Sequence, residues 1–124
     1  MPLIPCDEKF LNQNGYEHET HEVSGHTLLI IKNYVLPIAY YIPNVVSLLV
    51  KIPPGYPMTP LDMFWVYPEV RLVNGNRYPQ SADVFEDNLG IKWQRFSRHY
   101  QWRSGIDSLQ SHLIAISRVL KKAS

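Results

Sequence analysis

The chain has 124 residues, 45% of them apolar and 12% aromatic, enough for one buried core and too few for two ordinary domains, so a single domain over residues 1–124 is expected. With 12 Lys and Arg against 11 Asp and Glu, the net charge of +1 excludes the basic footprint of a nucleic-acid or anionic-membrane binder. Cys6 is the only cysteine, which excludes an intramolecular disulfide and a multi-cysteine zinc site.

The opening Met1–Cys6 carries no basic region ahead of a long apolar core, and no window reaches the roughly 18 uncharged apolar residues of a membrane span. Ile38–Val50 comes closest, but Pro43 and Asn44 interrupt it, so a cytoplasmic protein without a membrane partner is expected. Asp7–Gln13 suits a short helix that ends at the Asn14-Gly15 turn signal. Tyr16–Val23 and His26–Val35, joined by Ser24-Gly25, read as a β-hairpin. Val45–Ile52 reads as a third strand, with Val46, Leu48, Val50 and Ile52 on the core face.

Pro53-Pro54-Gly55-Tyr56-Pro57-Met58-Thr59-Pro60 follows. Each proline fixes φ and lacks a backbone donor, so this run is neither helix nor central strand but a rigid turn. Tyr56 is expected to lay its ring over that turn and to set its hydroxyl on a loop backbone group. Met63–Tyr67 reads as a fourth strand, and the meander is expected to stop at Pro68. From Glu69 to Gly105 no steady period of two or 3.6 is visible, and a long irregular stretch inside a compact domain points to function. Ser104-Gly105-Ile106-Asp107 fits a capping box that opens a last helix. Ile106, Leu109, Leu113, Ile116 and Leu120 then form an apolar stripe, His112 reads as surface, and Lys121 and Lys122 suit the negative end of the helix dipole. This order gives an α+β fold with helices on one face of an antiparallel sheet.

Val45–Leu120 resembles the ubiquitin-conjugating (UBC) superfamily, in which the third strand runs into a Tyr-Pro-x-x-Pro turn, matched here by Tyr56, Pro57 and Pro60. The chain is similar in particular to prokaryotic family E of that superfamily, through Gly55-Tyr56-Pro57, Trp93-Gln94-Arg95, Ser97-Arg98-His99 and Trp102 ahead of the last helix. The resemblance implies a UBC-like fold: a four-stranded antiparallel meander packed against a C-terminal helix, with a short N-terminal helix. It also implies a bacterial setting of ubiquitin-like modifier, activating enzyme, active conjugating enzyme and deconjugating peptidase. An active conjugating enzyme needs a cysteine thiolate to accept the modifier and an asparagine amide, from a His-Pro-Asn tripeptide, to hold the oxyanion. Both belong between the fourth strand and the last helix. Between Tyr67 and Ser104 there is neither, and Asn74, Asn76 and Asn88 stand outside any such motif. No catalytic residue and no cofactor are therefore expected.

Cys6 is followed by Asp7 and Glu8, not by the cation or imidazole that favours a thiolate. Ser97, His99 and Lys92 are the candidates for a substitute chemistry, although Ser97 and His99 lie two apart with no fixed geometry, and Arg95, Arg98 and Arg103 disfavour a protonated His99. Trp93, Arg95, Ser97, Arg98 and His99 form a candidate contact patch, since aromatic side chains and arginine dominate binding hot spots. The competing reading makes Trp93, Phe96, Tyr100 and Trp102 core or lid residues, and Tyr56, Pro57, Pro60 and Trp102 are taken as structural. His18, His21 and His26 alternate with Glu17, Glu19 and Glu22, but in a strand His18 and His21 point to opposite faces, which suits a solvated edge better than a metal site. Lys121-Lys122-Ala123-Ser124 has no di-glycine, unlike a modifier. The expected function is a catalytically inactive adaptor that binds modifier, activating enzyme, conjugating enzyme or target. The alternatives are a transferase working through Ser97, His99 or Lys92, and a stand-alone interaction module that shares only the fold.

Overall fold

Pro5 fixes φ at the first helical position, and Asp7 and Glu8 favour the positive end of the dipole, so α1 (Pro5–Gln13) opens two residues ahead of the expected Asp7 and the chain leaves it at Asn14. The computed structural model describes residues 4–37, 39–56, 58–61, 63–97, 102–104 and 106–122. Ser24 and Gly25 have φ of 52° and 82°, the pair of left-handed residues that a two-residue hairpin turn requires, and they join β1 (His18–Val23) to β2 (His26–Val35). A short β3 (Tyr41–Ile42) is followed by β4 (Val45–Ile52) and, beyond the proline turn, β5 (Phe64–Tyr67). β6 (Arg71–Leu72) pairs with β3 in a small separate ladder. A second hairpin, β7 (Val84–Asn88) and β8 (Ile91–Phe96), turns through Leu89 and Gly90, and α2 (Leu109–Lys122) comes last.

The main sheet has the order β1-β2-β4-β5-β8-β7, with antiparallel neighbours throughout. Its first four strands are the expected meander. The sheet does not stop at Pro68, however: β8 pairs Phe64 with Phe96 and Val66 with Gln94, and β7 adds the far edge. The missing period has a physical cause. Gln94 sits on the core face of β8, fully buried, where a strand normally carries an apolar residue. Its amide acts as an extra stretch of backbone, accepting from Val70 N–H at 2.8 Å and donating to Val70 O at 3.1 Å and Ala82 O at 2.8 Å. The loop that leads into β7 is thereby pinned to the sheet.

Both helices lie on one face, where Leu11 of α1 and Leu109, Leu113, Ile116 and Leu120 of α2 meet Leu29, Ile31, Leu48, Val50, Phe64, Val66 and Phe96. The predicted core face of β4 is the one observed, since Val46, Leu48, Val50 and Ile52 all enter this cluster. Three expectations about the last helix need correction. Ile106 is 69% exposed and precedes the helix, and Asp107 is spent in a turn, taking Arg103 N–H at 2.7 Å and the Arg103 guanidinium at 3.1 Å. The Ser104 hydroxyl donates to Met58 O instead of capping. The capping role passes to Ser111, whose hydroxyl accepts from Ser108 N–H at 2.8 Å one turn inside the helix start. His112 is buried, not a surface residue, with Nε2 at 3.1 Å from Met63 O. Among the described residues no helix is long and apolar enough to cross a membrane.

Candidate functional site

The proline turn is held by Tyr56 N–H on Pro53 O at 3.1 Å and Thr59 N–H on Gly55 O at 2.9 Å. A Cβ at Gly55 would overlap the Thr59 side chain, so the glycine is required by close approach. Tyr56 reaches beyond the turn. Its hydroxyl donates to Asp7 Oδ2 at 2.6 Å and accepts the Leu109 amide at 2.7 Å, so one phenol joins α1, the turn and the first amide of α2. That amide has no partner within its own helix, which is why the contact matters. Burial and the neighbouring carboxylate push the Tyr56 hydroxyl far up, keeping it protonated, and burial raises the Asp7 carboxyl. The Trp102 ring packs 6.3 Å from that of Tyr56, Pro60 is exposed, and Pro57 lies outside the described residues.

The face of the sheet opposite the helices carries a second buried cluster of Leu28, Ile30, Leu49, Trp65 and Trp93. Trp93 belongs to its floor at 2% exposure, with its indole donating to Asn88 O at 3.1 Å and its ring 5.9 Å from Tyr67. Beside it, Glu86 gathers three partners: Trp65 Nε1 at 2.8 Å, Arg95 Nη1 at 2.9 Å and Lys51 Nζ at 3.6 Å. Lys51 also stands 4.4 Å over the Trp65 ring, a cation–π contact. Burial by itself would raise the Glu86 carboxyl; the indole and the two cations outweigh it and hold the group below its ordinary value. Lys51, Trp65 and Glu86 were not singled out in the sequence. The signal was present in β4, where Lys51 shares a face with Leu49, the apolar residue two positions earlier.

This arrangement, a Gly-Tyr-Pro turn locked to both helices and a Trp-Gln-Arg strand closing the sheet, coincides with a sequence match: the profile of prokaryotic E2 family E covers residues 3–123. The chain belongs to prokaryotic E2 family E. That membership ties it to the UBC-like fold and to ubiquitin-like conjugation. No curated protein and no solved structure matches it.

The remaining candidate residues of this family E chain are dispersed. Ser97 is half-buried just past β8, its amide on Ser81 O at 3.0 Å, while Lys92 is exposed near the β7–β8 turn, in register with Asp87. Along an extended strand their separation is about 16 Å, so the two do not form one centre. Arg98 and His99 lie outside the described residues. Cys6 is exposed in the first turn of α1, its thiol 3.9 Å from Asp7 Oδ1, so the group it meets is an acid and not a cation. The burial of Asp7 and Gln94, two polar residues that organise this region, has no sign in the linear chain, where each looks like ordinary surface.

Proposed function

We propose that the protein is a non-catalytic UBC-like adaptor of bacterial ubiquitin-like conjugation in the cytoplasm. It holds a pathway component, whether modifier, activating enzyme, conjugating enzyme or target, by surface contact and not through a thioester. One observation carries this reading: the only thiol, Cys6, sits on α1 beside a carboxylate, and the stretch between β5 and α2 that bears the nucleophile in active relatives has no cysteine. The contact patch centres on Arg95, partly exposed at the rim of the helix-free face, and continues along the chain through Ser97, Arg98 and His99.

The test is incubation with the modifier, its activating enzyme and ATP, read by both capture and covalent gel shift. Non-covalent capture that weakens about tenfold in Arg95→Ala, with no adduct, is the expected result. A thiol-labile adduct on Cys6 overturns the proposal. An adduct that resists thiol points instead to Ser97 when hydroxylamine releases it, and to Lys92 when it does not. Absence of capture of any pathway component leaves the stand-alone interaction module.

A further inference from the structure

β7 is the far edge of the main sheet, and only one side of its backbone is used. Leu89 and Gly90, with φ of 56° and 78°, make a two-residue turn, so Asn88 and Ile91 exchange both backbone bonds, and Glu86 with Trp93 and Val84 with Arg95 do the same further along. The N–H and C=O groups of Phe85 and Asp87 therefore point away from β8, and among the described residues they have no partner. Side chains alternate over the same stretch. Val84 and Glu86 share the helix-free face with their register partners Arg95 and Trp93, while Phe85 lies on the helix side with Gln94 and packs edge-on against Tyr78 at 5.9 Å. An aromatic surface thus reaches the open edge. Two residues to either side stand Asp87 and, just ahead of the strand, Asp83, both exposed and neither with an ion pair or hydrogen bond among the described residues. Lys92 is in register with Asp87 but makes no ion pair with it.

Acids on an edge strand ordinarily keep a second copy away, and these do. Antiparallel self-pairing must set outward residues against outward residues. A two-fold axis at Phe85 then opposes Asp83 to the partner's Asp87, an axis at Glu86 opposes Glu86 to the partner's Glu86, and an axis at Asp87 opposes Asp87 to the partner's Asp87. The same groups suit a strand of opposite charge. We propose that β7 is extended by a basic segment of another protein, bound as an antiparallel strand with a cation opposite Asp87, an aliphatic side chain opposite Phe85 and a cation opposite Asp83. Its backbone exchanges both bonds with Phe85 and with Asp87, the main-chain part of strand addition, and the alternate side chains supply the selectivity. On the helix-free face the incoming strand lays an aliphatic residue on Val84, 43% exposed, and a small polar one beside Glu86, whose carboxylate is already engaged by Trp65, Arg95 and Lys51. Read from its N-terminus, the segment runs cation, small polar, aliphatic, aliphatic, cation. This surface does not rest on the adaptor reading, since such a strand would dock on an adaptor and on a transferase alike.

The test uses a fluorescein-labelled peptide, Gly-Lys-Thr-Val-Val-Lys-Gly, and its counterpart with glutamates in place of the lysines, each titrated with the full chain by fluorescence anisotropy up to about 1 mM. The lysine peptide is expected to bind about tenfold or more tighter than the glutamate peptide, and to slow hydrogen exchange at the Phe85 and Asp87 amides. Asp83→Lys combined with Asp87→Lys should invert the preference, a gain that damage to the fold cannot produce. Asp87→Pro removes an outward donor without touching a β7–β8 bond and should abolish binding of the lysine peptide. No binding of that peptide at about 1 mM, equal binding of the two peptides, or an Asp87→Pro variant that binds like the parent overturns the proposal. So does a dimer of the chain that Asp87→Pro dissolves, which would make a second copy the occupant of this edge.

Discussion

Beneath the helices, Leu29, Leu48, Phe64 and Phe96 are sealed by Leu11, Leu113, Ile116 and Leu120; on the opposite face Leu28, Ile30, Leu49, Trp65 and Trp93 are nearly as deeply buried with no described helix over them. The first face becomes dry by stacking a second layer. The second does so laterally, with two indoles lying among the stems of Lys51 and Arg95 and the ring of Tyr67, and Glu86 tying those cations down. Burial of the same degree thus has two physical origins. Under the helices it depends on volume, and on the open face it depends on a polar rim staying in place.

The largest expected effect is on the covered face. Phe64 stacks on Phe96 at 4.6 Å and is fully buried in the core, so Phe64→Ala should cost about 4 kcal/mol by urea denaturation. Trp93→Ala sharpens the comparison: as a true floor residue it should cost about 3 kcal/mol, whereas a loss of about 1 kcal/mol or less would make the open face a solvated surface with its tryptophan available to a partner. Gln94→Ala should cost about 2 kcal/mol or more, because it strands the Val70 amide and the Val70 and Ala82 carbonyls and also empties the buried space of the side chain. A Gln94→Met control that restores bulk but not stability would assign the loss to hydrogen bonding.

The same contrast explains what could be read in advance. The β1–β2 hairpin, the core face of β4 and the Leu109–Leu120 stripe each have one buried side and one dominant period, so local pattern and tertiary packing agree. β8 inverts the rule, burying a glutamine under the helices and a tryptophan on the open side, and so shows no alternation. The helix start misled for a related reason: Ser104 and Asp107 have the spacing of a capping box, but Met58 and Arg103 take their polar atoms, leaving Ser108 and Ser111 to open the helix. At the candidate site the Gly-Tyr-Pro turn was legible because prolines act locally. The Glu86 network was not, since Lys51, Trp65, Glu86 and Arg95 come from four different strands.

The smallest expected effect joins the layers at their end. Tyr56→Phe keeps the ring against Trp102 but removes the hydroxyl shared by Asp7 and the Leu109 amide, and should cost about 1 to 2 kcal/mol near neutral pH. Its pH dependence separates the two partners. Burial raises the folded-state Asp7 carboxyl above its unfolded value, and the Tyr56 hydrogen bond opposes that rise. The folded protein therefore binds the Asp7 proton more tightly than the unfolded chain, and the carboxylate costs stability as pH climbs from the ordinary aspartate range through the raised value. Losing the Tyr56 donor raises that value further and deepens the cost, so the gap between variant and parent should be widest near pH 7 and narrow toward pH 4 as Asp7 takes up its proton. A gap that does not change with pH would assign the phenol's contribution to the Leu109 amide alone, making the turn a helix cap and not a charge-bearing clasp between α1 and α2.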